Sequence, residues 1–322
     1  MKPSVLVTGK IPSSVLRRLE EAADVDWYTG ESPIPRDELL ARVLGKQGLV
    51  SLITDSIDSD IIAAGRELRV IANVGVGYNN IDIAAARVRG IVVTNTPDVL
   101  TDATADFTWA LILAITRRLS EAERLLRRGD WKGWKLDFML GTELRGKQLG
   151  IVGFGRIGRA VADRARVFGM RVAYTSRSTE TRRGGPSGPP EHEPMPLDRL
   201  LSTSDVITLH VPLTSETRHL IDQKALARMK RSAYLINTAR GPVVDEAALA
   251  WALRERLISG AALDVFEREP EVHADLLTLE NVLLLPHIGS GTVETRTAMA
   301  DLAVRNALAV VAGEAPLTPI NR

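Results

Sequence analysis

LGIVGFGRIGRAVADRARVFG, residues 149–169, reads as a strand, a glycine-rich turn and a helix. Gly153 permits the tight turn. Gly155 removes a side chain so that backbone can approach a pyrophosphate, and Gly158 lets helix and strand pack closely. Arg156 and Ile157 open the helix, whose free N–H groups and positive dipole end face an anion. The strand before and the helix after turn a weak pattern into a dinucleotide-binding unit.

The next strand, RVAYTSRS at 171–178, carries an anomaly. A site for NAD carries an Asp or Glu about 20 residues past the first glycine, bonded to the ribose 2′-OH. This chain has Thr175, Ser176, Arg177 and Ser178 there instead. A carboxylate would repel a 2′-phosphate. Arg177 pairs with one as a planar cation, and Ser176 and Ser178 donate hydrogen bonds. The stretch therefore points to NADPH as preferred cofactor, with NADH also accepted.

Working outward, strand-like and helix-like runs alternate almost throughout, which predicts parallel sheets with helices on their faces. SVLVTG, GLVSLI, LRVIANV and IVVTNT are the strands before residue 98. Asp58 or Ser59 caps the helix that follows GLVSLI. A helix of about 25 residues begins near Thr101, too long for a local crossover, and is read as the bridge to a second domain. DVITLHVP, AYLINTA, GAALDV and VLLLPHIG continue the second series. Residues 177–196, rich in Gly, Pro and charge, are read as a loop. A last helix, roughly Thr292 to Ala312, stops at Gly313.

Composition narrows the function. The chain has 322 residues, room for about two domains, and a formal net charge of +1, so no nucleic-acid footprint is expected. Arg117, Arg118, Arg124, Arg127 and Arg128 interleave with Glu121 and Glu123 at helical spacing, the pattern of a solvated helix face. There is no cysteine, which excludes disulfides, thiolate nucleophiles and Cys-ligated metals, and no metal site is expected. No apolar run reaches the roughly 18 residues of a membrane span, and MKPSVLVTGK looks like a first strand rather than a secretory signal. The cytoplasm is the expected compartment.

In doubly wound sheets, ligands sit outside the carboxyl ends of the strands. There LINTARG ends in Arg240, AALDVFEREP carries Asp264 and Glu269, and VLLLPHIG carries His287. A guanidinium offers a fork for a substrate carboxylate. An imidazole donates a proton near neutrality, and a carboxylate beside it orients the ring. The set suits hydride transfer to a 2-oxo acid. His210, in LHVP, shapes the cofactor cleft with Val211 and Pro212, while His192, His219 and His273 are read as surface residues.

These motifs, with NVGVGYNNIDIAAARVRGIVVTNTPDVLTDATADF at 73–107, resemble the D-isomer-specific 2-hydroxyacid dehydrogenases, and most of all their glyoxylate/hydroxypyruvate reductase branch. The resemblance covers nearly the whole chain. It implies two Rossmann-like, doubly wound parallel-sheet α/β domains. A flavodoxin-like substrate domain, residues 1–98 and 288–322, receives a cofactor domain, residues 99–287, as an insertion. It implies that Arg240 binds substrate and that Glu269 pairs with His287 as the acid/base. Val76 and Gly77 bind the substrate carboxylate through backbone N–H groups, and Gly75 and Gly77 suit an anion-binding nest. Ser290 joins the substrate side. Thr104, Thr238, Ala239 and Gly289 join the cofactor side, and Asp264 and His287 contact the cofactor near its carboxamide.

The resemblance further implies a homodimer through the cofactor domain. GDWKGWKL at 129–136 lies in the dimer arm, with Trp134 reaching the partner's site. Two departures stand out: Asp106 replaces the usual acid of its helix motif, and the 177–196 loop is unusually rich in Gly and Pro. The chain ends soon after its last helix, so the regulatory domain of many phosphoglycerate dehydrogenases is not expected. Other functions stay open at this point. They are another NAD-linked D-2-hydroxyacid dehydrogenase, phosphite oxidation, a dinucleotide-sensing corepressor, and an unrelated Rossmann protein holding an adenosyl ligand.

Overall fold

A computed structural model describes residues 2–176 and 192–321. The chain forms two compact units, Met1–Leu100 with Ser290–Arg322, and Thr101–Gly289. The first begins with β1 (Ser4–Val7), α1 (Ser13–Ala22), β2 (Asp24–Trp27), α2 (Arg36–Arg42), β3 (Gly48–Leu52), α3 (Ser59–Ala64), β4 (Val70–Val74), α4 (Ile83–Val88) and β5 (Val92–Thr94). The second opens with α5 (Thr101–Thr116), α6 (Leu119–Arg127), β6 (Gln148–Val152), α7 (Arg156–Ala165) and β7 (Arg171–Thr175). It continues through β8 (Glu193–Pro194), α8 (Leu197–Thr203), β9 (Val206–Leu209), α9 (Gln223–Arg228), β10 (Tyr234–Asn237) and α10 (Glu246–Arg254). It ends with β11 (Gly260–Leu263), α11 (Ala274–Leu277) and β12 (Val282–Leu284), and α12 (Val293–Val311) belongs to the first unit.

Both sheets are parallel throughout. The first has the order β2-β1-β3-β4-β5, a flavodoxin-like winding. One face buries Val5, Val7, Val50, Val70 and Ala72 under α1 and α12. The alanines of α12, Ala300, Ala303 and Ala307, are fully or almost fully buried and let that helix approach the strands. The other face packs Leu6, Leu49, Ile71 and Val93 against Ile61, Ile62 and Ala86 of α3 and α4.

The second sheet has the order β12-β11-β10-β9-β6-β7-β8. Numbered from β6, this is the dinucleotide-binding winding, with its reversal point between β6 and β9. Buried apolar residues line both faces, as a sheet covered by helices on each side requires. Trp109 of α5 anchors one layer, donating its indole N–H to Val161 O of α7 at 3.0 Å.

The sequence reading differs from the fold in four local places, one of them β8, whose Glu193–Pro194 pairs with β7 inside the 177–196 segment read as a loop. The long helix near Thr101 is two helices. Arg118 takes a left-handed φ of 54° between them, and Thr142 N–H takes the carbonyl of Thr116 at 2.8 Å. A chain crossing the helix end there replaces continued helical bonding. Strand β2 was not expected, because Asp24 and Asp26 make DVDW a poor strand former; it is a half-exposed edge that pairing with β1 supplies. Helix α2 was also missed. Asp58 is the cap of α3, accepting from Asp60 and Ile61 N–H, and α12 starts after its cap Thr292 and ends before Gly313 at φ 86°.

Candidate active site

The glycine turn sits at the reversal point. Gly153 has φ 98°, and a Cβ there would stand 2.6 Å from the His210 carbonyl carbon, so the ends of β6 and β9 touch through a missing side chain. A Cβ on Gly158 would meet Gly153 O at 2.2 Å, which is the close helix–strand contact the third glycine allows. Gly155 faces open space and caps α7 without a side-chain bond, leaving first-turn N–H groups for a ligand. His210 Nε2 is buried without a partner among the described residues. Burial pushes this imidazole down to about 3, so it is neutral. An open, donor-rich turn beside an unpartnered polar atom fits a dinucleotide. Bound there, the dinucleotide would lie along Gly153, Gly155, Arg156, Ile157 and Gly158, with Val211 and Pro212 following His210.

Arg240, Asp264 and His287 leave β10, β11 and β12 at this same edge. His287 has φ 53°, a left-handed conformation that costs a side-chain-bearing residue about 1–3 kcal/mol. Asp264 holds it there. His287 N–H donates to Asp264 O at 2.8 Å, and the Asp264 carboxylate accepts Ile288 N–H at 2.8 Å and Gly289 N–H at 2.7 Å. Gly289 is itself close-packed, its missing Cβ 3.1 Å from Asp264 Oδ2 and 3.8 Å from Thr104 Cγ2. Burial pushes the Asp264 carboxyl up, and these N–H donors and the His287 ring oppose it.

His287 Nδ1 lies 2.8 Å from Glu269 Oε2, while Glu269 Oε1 accepts Phe266 N–H at 3.0 Å. Burial raises the Glu269 carboxyl, but the His287 bond and charge, the Phe266 N–H and the Arg240 charge outweigh it and hold it below its ordinary value. Arg240 lies deeper. Burial lowers its guanidinium, and Glu269 opposes that. Arg240 Nη1 donates to Ala239 O at 2.7 Å, which fixes the plane of the fork.

The remaining sequence-predicted positions divide in three. Thr238 Oγ1 lies 3.1 Å from Thr108 Oγ1 beside the Arg240 turn. Ser176 follows β7, and Arg177 and Ser178 lie outside the described residues. In the first unit, Gly75 O accepts Thr96 N–H at 2.9 Å, Val76 O accepts Asn95 Nδ2 at 2.8 Å and Gly77 O accepts Asn73 Nδ2 at 2.8 Å. Gly75 is not left-handed, and its missing side chain makes room for Ile53, whose Cγ2 would stand 2.3 Å from a Cβ. Tying the carbonyls to one side orients the peptides of this loop. Ser290 opens the return to the first unit, its carbonyl accepting Thr292 N–H.

Several residues exceed the sequence reading. Asn237 braces the Arg240 turn, with Nδ2 donating to Arg240 O and Oδ1 accepting Ala239 N–H, both at 3.0 Å. A buried Asn ending a hydrophobic strand was the available signal. His192, His219 and His273 are not plain surface residues. His192 Nδ1 is buried and its ring meets Phe154 edge-on, His219 pairs with Glu267, and His273 caps α11. Asp106 pairs with Arg164, which also reaches Asp102. Arg118, Arg124, Arg127 and Arg128 all pair with carboxylates. Trp134 is 79 % exposed, so local core packing does not explain it. Among the described residues no cluster of His and acidic groups suits a metal ion, and no helix is long and apolar enough to cross a membrane.

Comparison with known proteins identifies the family. Residues 109–289 match the family described as D-isomer specific 2-hydroxyacid dehydrogenase, NAD binding domain. A glyoxylate reductase of Thermococcus onnurineus is 48 % identical over 326 aligned positions, covering 100 % of this chain and 97 % of that one. A crystal structure of a Thermus thermophilus protein superposes with TM-score 0.91 and 45 % identity, covering 98 % of this chain and 99 % of that one. An NADPH-dependent glyoxylate/hydroxypyruvate reductase of Sinorhizobium meliloti, solved with NADP and malonate, gives 0.86 and 37 %, covering 99 % of this chain and 97 % of its own. The chain belongs to the D-isomer-specific 2-hydroxyacid dehydrogenases and is an NAD(P)-dependent enzyme of that family.

Proposed function

We propose that this enzyme reduces a small 2-oxo acid, glyoxylate or hydroxypyruvate, to the D-2-hydroxy acid, with NADPH preferred over NADH. The observation that carries the reading is the 2.8 Å His287–Glu269 pair, set beside Arg240 on the sheet edge that bears the glycine turn. Reduced nicotinamide dinucleotide, when held at the glycine turn, would supply the hydride to C2. Arg240 binds the substrate carboxylate and polarises the carbonyl. With Nδ1 turned to Glu269, His287 donates its proton from Nε2 to the carbonyl oxygen, and Glu269 stabilises the cation before transfer. His210, neutral and without a carboxylate partner among the described residues, is unsuited to that task.

Backbone N–H groups of Val76 and Gly77, with Ser290, complete carboxylate binding in this reading. Thr104, Thr238, Ala239, Asp264 and Gly289 serve the cofactor. Substrate choice draws support from the Thermococcus and Sinorhizobium relatives. Cofactor choice draws support from Ser176, Arg177 and Ser178 standing where an NAD site has an acid. A homodimer through the cofactor domain would cover Trp131, Trp134, Leu136 and Leu140, all exposed here, and Trp134 of the partner subunit would reach the site. The cytoplasm is the compartment this reading assigns.

A panel of 2-oxo acids assayed with NADPH and with NADH tests the proposal. The highest kcat/KM is expected for glyoxylate or hydroxypyruvate with NADPH. Absence of turnover on every 2-oxo acid would overturn it in favour of a dinucleotide-sensing role.

A further inference from the structure

Arg240 and Glu269 lie on separate loops after β10 and β11. Three segments behind them are laced together. A Cβ on Gly241 would stand 1.8 Å from the Phe266 carbonyl carbon, so the Arg240 turn presses directly on the backbone that leads to Glu269. Two reciprocal bonds lock this contact. Glu267 N–H donates to Glu246 Oε1 at 2.6 Å, and Glu246 N–H donates to Glu267 Oε1 at 2.9 Å. Each glutamate thus binds the other's backbone, across 21 positions of sequence.

A third segment closes the ring. His219 N–H donates to Pro242 O at 2.7 Å, Ile221 N–H to Val243 O at 3.0 Å, and Asp245 N–H to Ile221 O at 3.1 Å. The His219 ring returns to the other side, with Nε2 3.0 Å from Glu267 Oε2. Against a carboxylate, which only accepts, that nitrogen is the donor. Glu246 is 5 % exposed, and burial raises its carboxyl. The charged groups facing it are Glu267 and His273, whose backbone N–H also bonds it, and those facing Glu267 are Glu246 and His219. Burying a carboxylate is costly unless hydrogen bonds offset it, and for Glu246 backbone N–H groups supply them.

We propose that Glu246, Glu267 and His219 are positioning residues that form a clasp holding the Arg240 turn and the Glu269 loop in register for the reaction. The inference rests on the roles proposed above for Arg240 and Glu269. The clasp acts through Phe266, whose N–H fixes Glu269 Oε1 one residue before Glu267. Loosening it lets Glu269 drift from His287 and weakens its hold on the imidazolium.

Glu246→Ala, Glu246→Gln and His219→Ala in the full chain test it by two measurements. Amide hydrogen exchange at Phe266 is expected to quicken about tenfold in Glu246→Ala, which loses the acceptor of Glu267 N–H while the backbone N–H of residue 246 can still reach Glu267, and less in His219→Ala. With the best 2-oxo acid, kcat of Glu246→Ala is expected to fall about 10–100-fold, as when an outer partner of a functional group is removed. The alkaline limb of its pH profile moves to lower pH, while cofactor affinity stays. Glu246→Gln keeps an acceptor oxygen for Glu267 N–H and restores both readouts. Unchanged Phe266 exchange in Glu246→Ala and His219→Ala overturns the clasp, as does faster exchange with unaltered kcat and pH profile. The exchange measurement needs no turnover, so a chain inactive on all 2-oxo acids would refute the proposed function while the coupling is still judged separately.

Discussion

His287 Nδ1 meets Glu269 Oε2 at 2.8 Å across 18 positions of sequence, each residue held by its own backbone bracket. Asp264 grips the peptides after His287, and Phe266 N–H grips the far oxygen of Glu269. The two partners of the pair should therefore fail differently. His287→Ala removes the proposed proton donor and is expected to lower kcat by about 10²–10⁴-fold, the usual size of general acid catalysis, with cofactor affinity intact. Glu269→Gln keeps an oxygen for Phe266 and is expected to lose less at acid pH than at alkaline pH. Steady-state profiles of the two variants across pH separate these outcomes.

The same carboxylate links activity to stability. Its folded value lies below the ordinary 4.5, so the stabilisation it gives is fully present above about 4.5 and is lost as pH falls through the folded value. Wild type should melt higher than Glu269→Gln at neutral pH, and the gap in Tm should shrink below about pH 4.5. A gap that stayed constant down to acid pH would mean that the His287 and Arg240 charges do not favour the carboxylate.

Arg240→Ala should nearly abolish turnover with the cofactor still bound, because the fork proposed to hold the substrate is gone. Arg240→Lys retains charge but not the planar donors, and is expected to raise KM at least about tenfold, since hydrogen bonds to charged groups contribute about 1.5–3 kcal/mol. Cofactor titration by fluorescence beside steady-state kinetics distinguishes a lost substrate site from a lost nucleotide site.

Much of this was legible in the residues. Alternating apolar runs marked most of the parallel strands, and Gly153, Gly155 and Gly158 marked the strand–turn–helix of the dinucleotide-binding unit. Arg240, Glu269 and His287 stood out because each follows a strand end. What stayed hidden depends on contacts between distant segments. DVDW pairs as a strand only because β1 offers it an edge. Arg118 breaks a helix only because residues 141–142 cross its end. His219 gained a partner 48 positions away, which no local pattern announces.

Asp264 shows how a backbone role hides behind a chemical one. Its carboxylate binds the Ile288 and Gly289 N–H groups and so keeps His287 in its left-handed conformation. An amide has one acceptor oxygen where the carboxylate has two, so Asp264→Asn must lose one of these bonds or share one oxygen between them. We expect kcat to fall about 10–100-fold with little loss of folding, since relief of a buried charge offsets part of the lost bond. Crystallography of the variant should find the His287 ring displaced from Glu269.

Cofactor choice turns on RVAYTSRS. In the proposed reading, Ser176, Arg177 and Ser178 in place of an acid would offer a 2′-phosphate donors rather than repulsion. Arg177→Ala should raise KM for NADPH about tenfold or more, the loss of one charge-assisted contact, and barely change KM for NADH. Introducing a carboxylate by Ser176→Asp should go further: it repels the phosphate and offers the NADH ribose an acceptor, so the ratio of kcat/KM for the two cofactors reverses. Equal use of NADH and NADPH by the wild type would refute the preference. An unchanged ratio in Ser176→Asp would show that the ribose does not approach this strand end. Because both substitutions weaken NADPH use while sparing or improving NADH use, a general loss of folding cannot imitate the results.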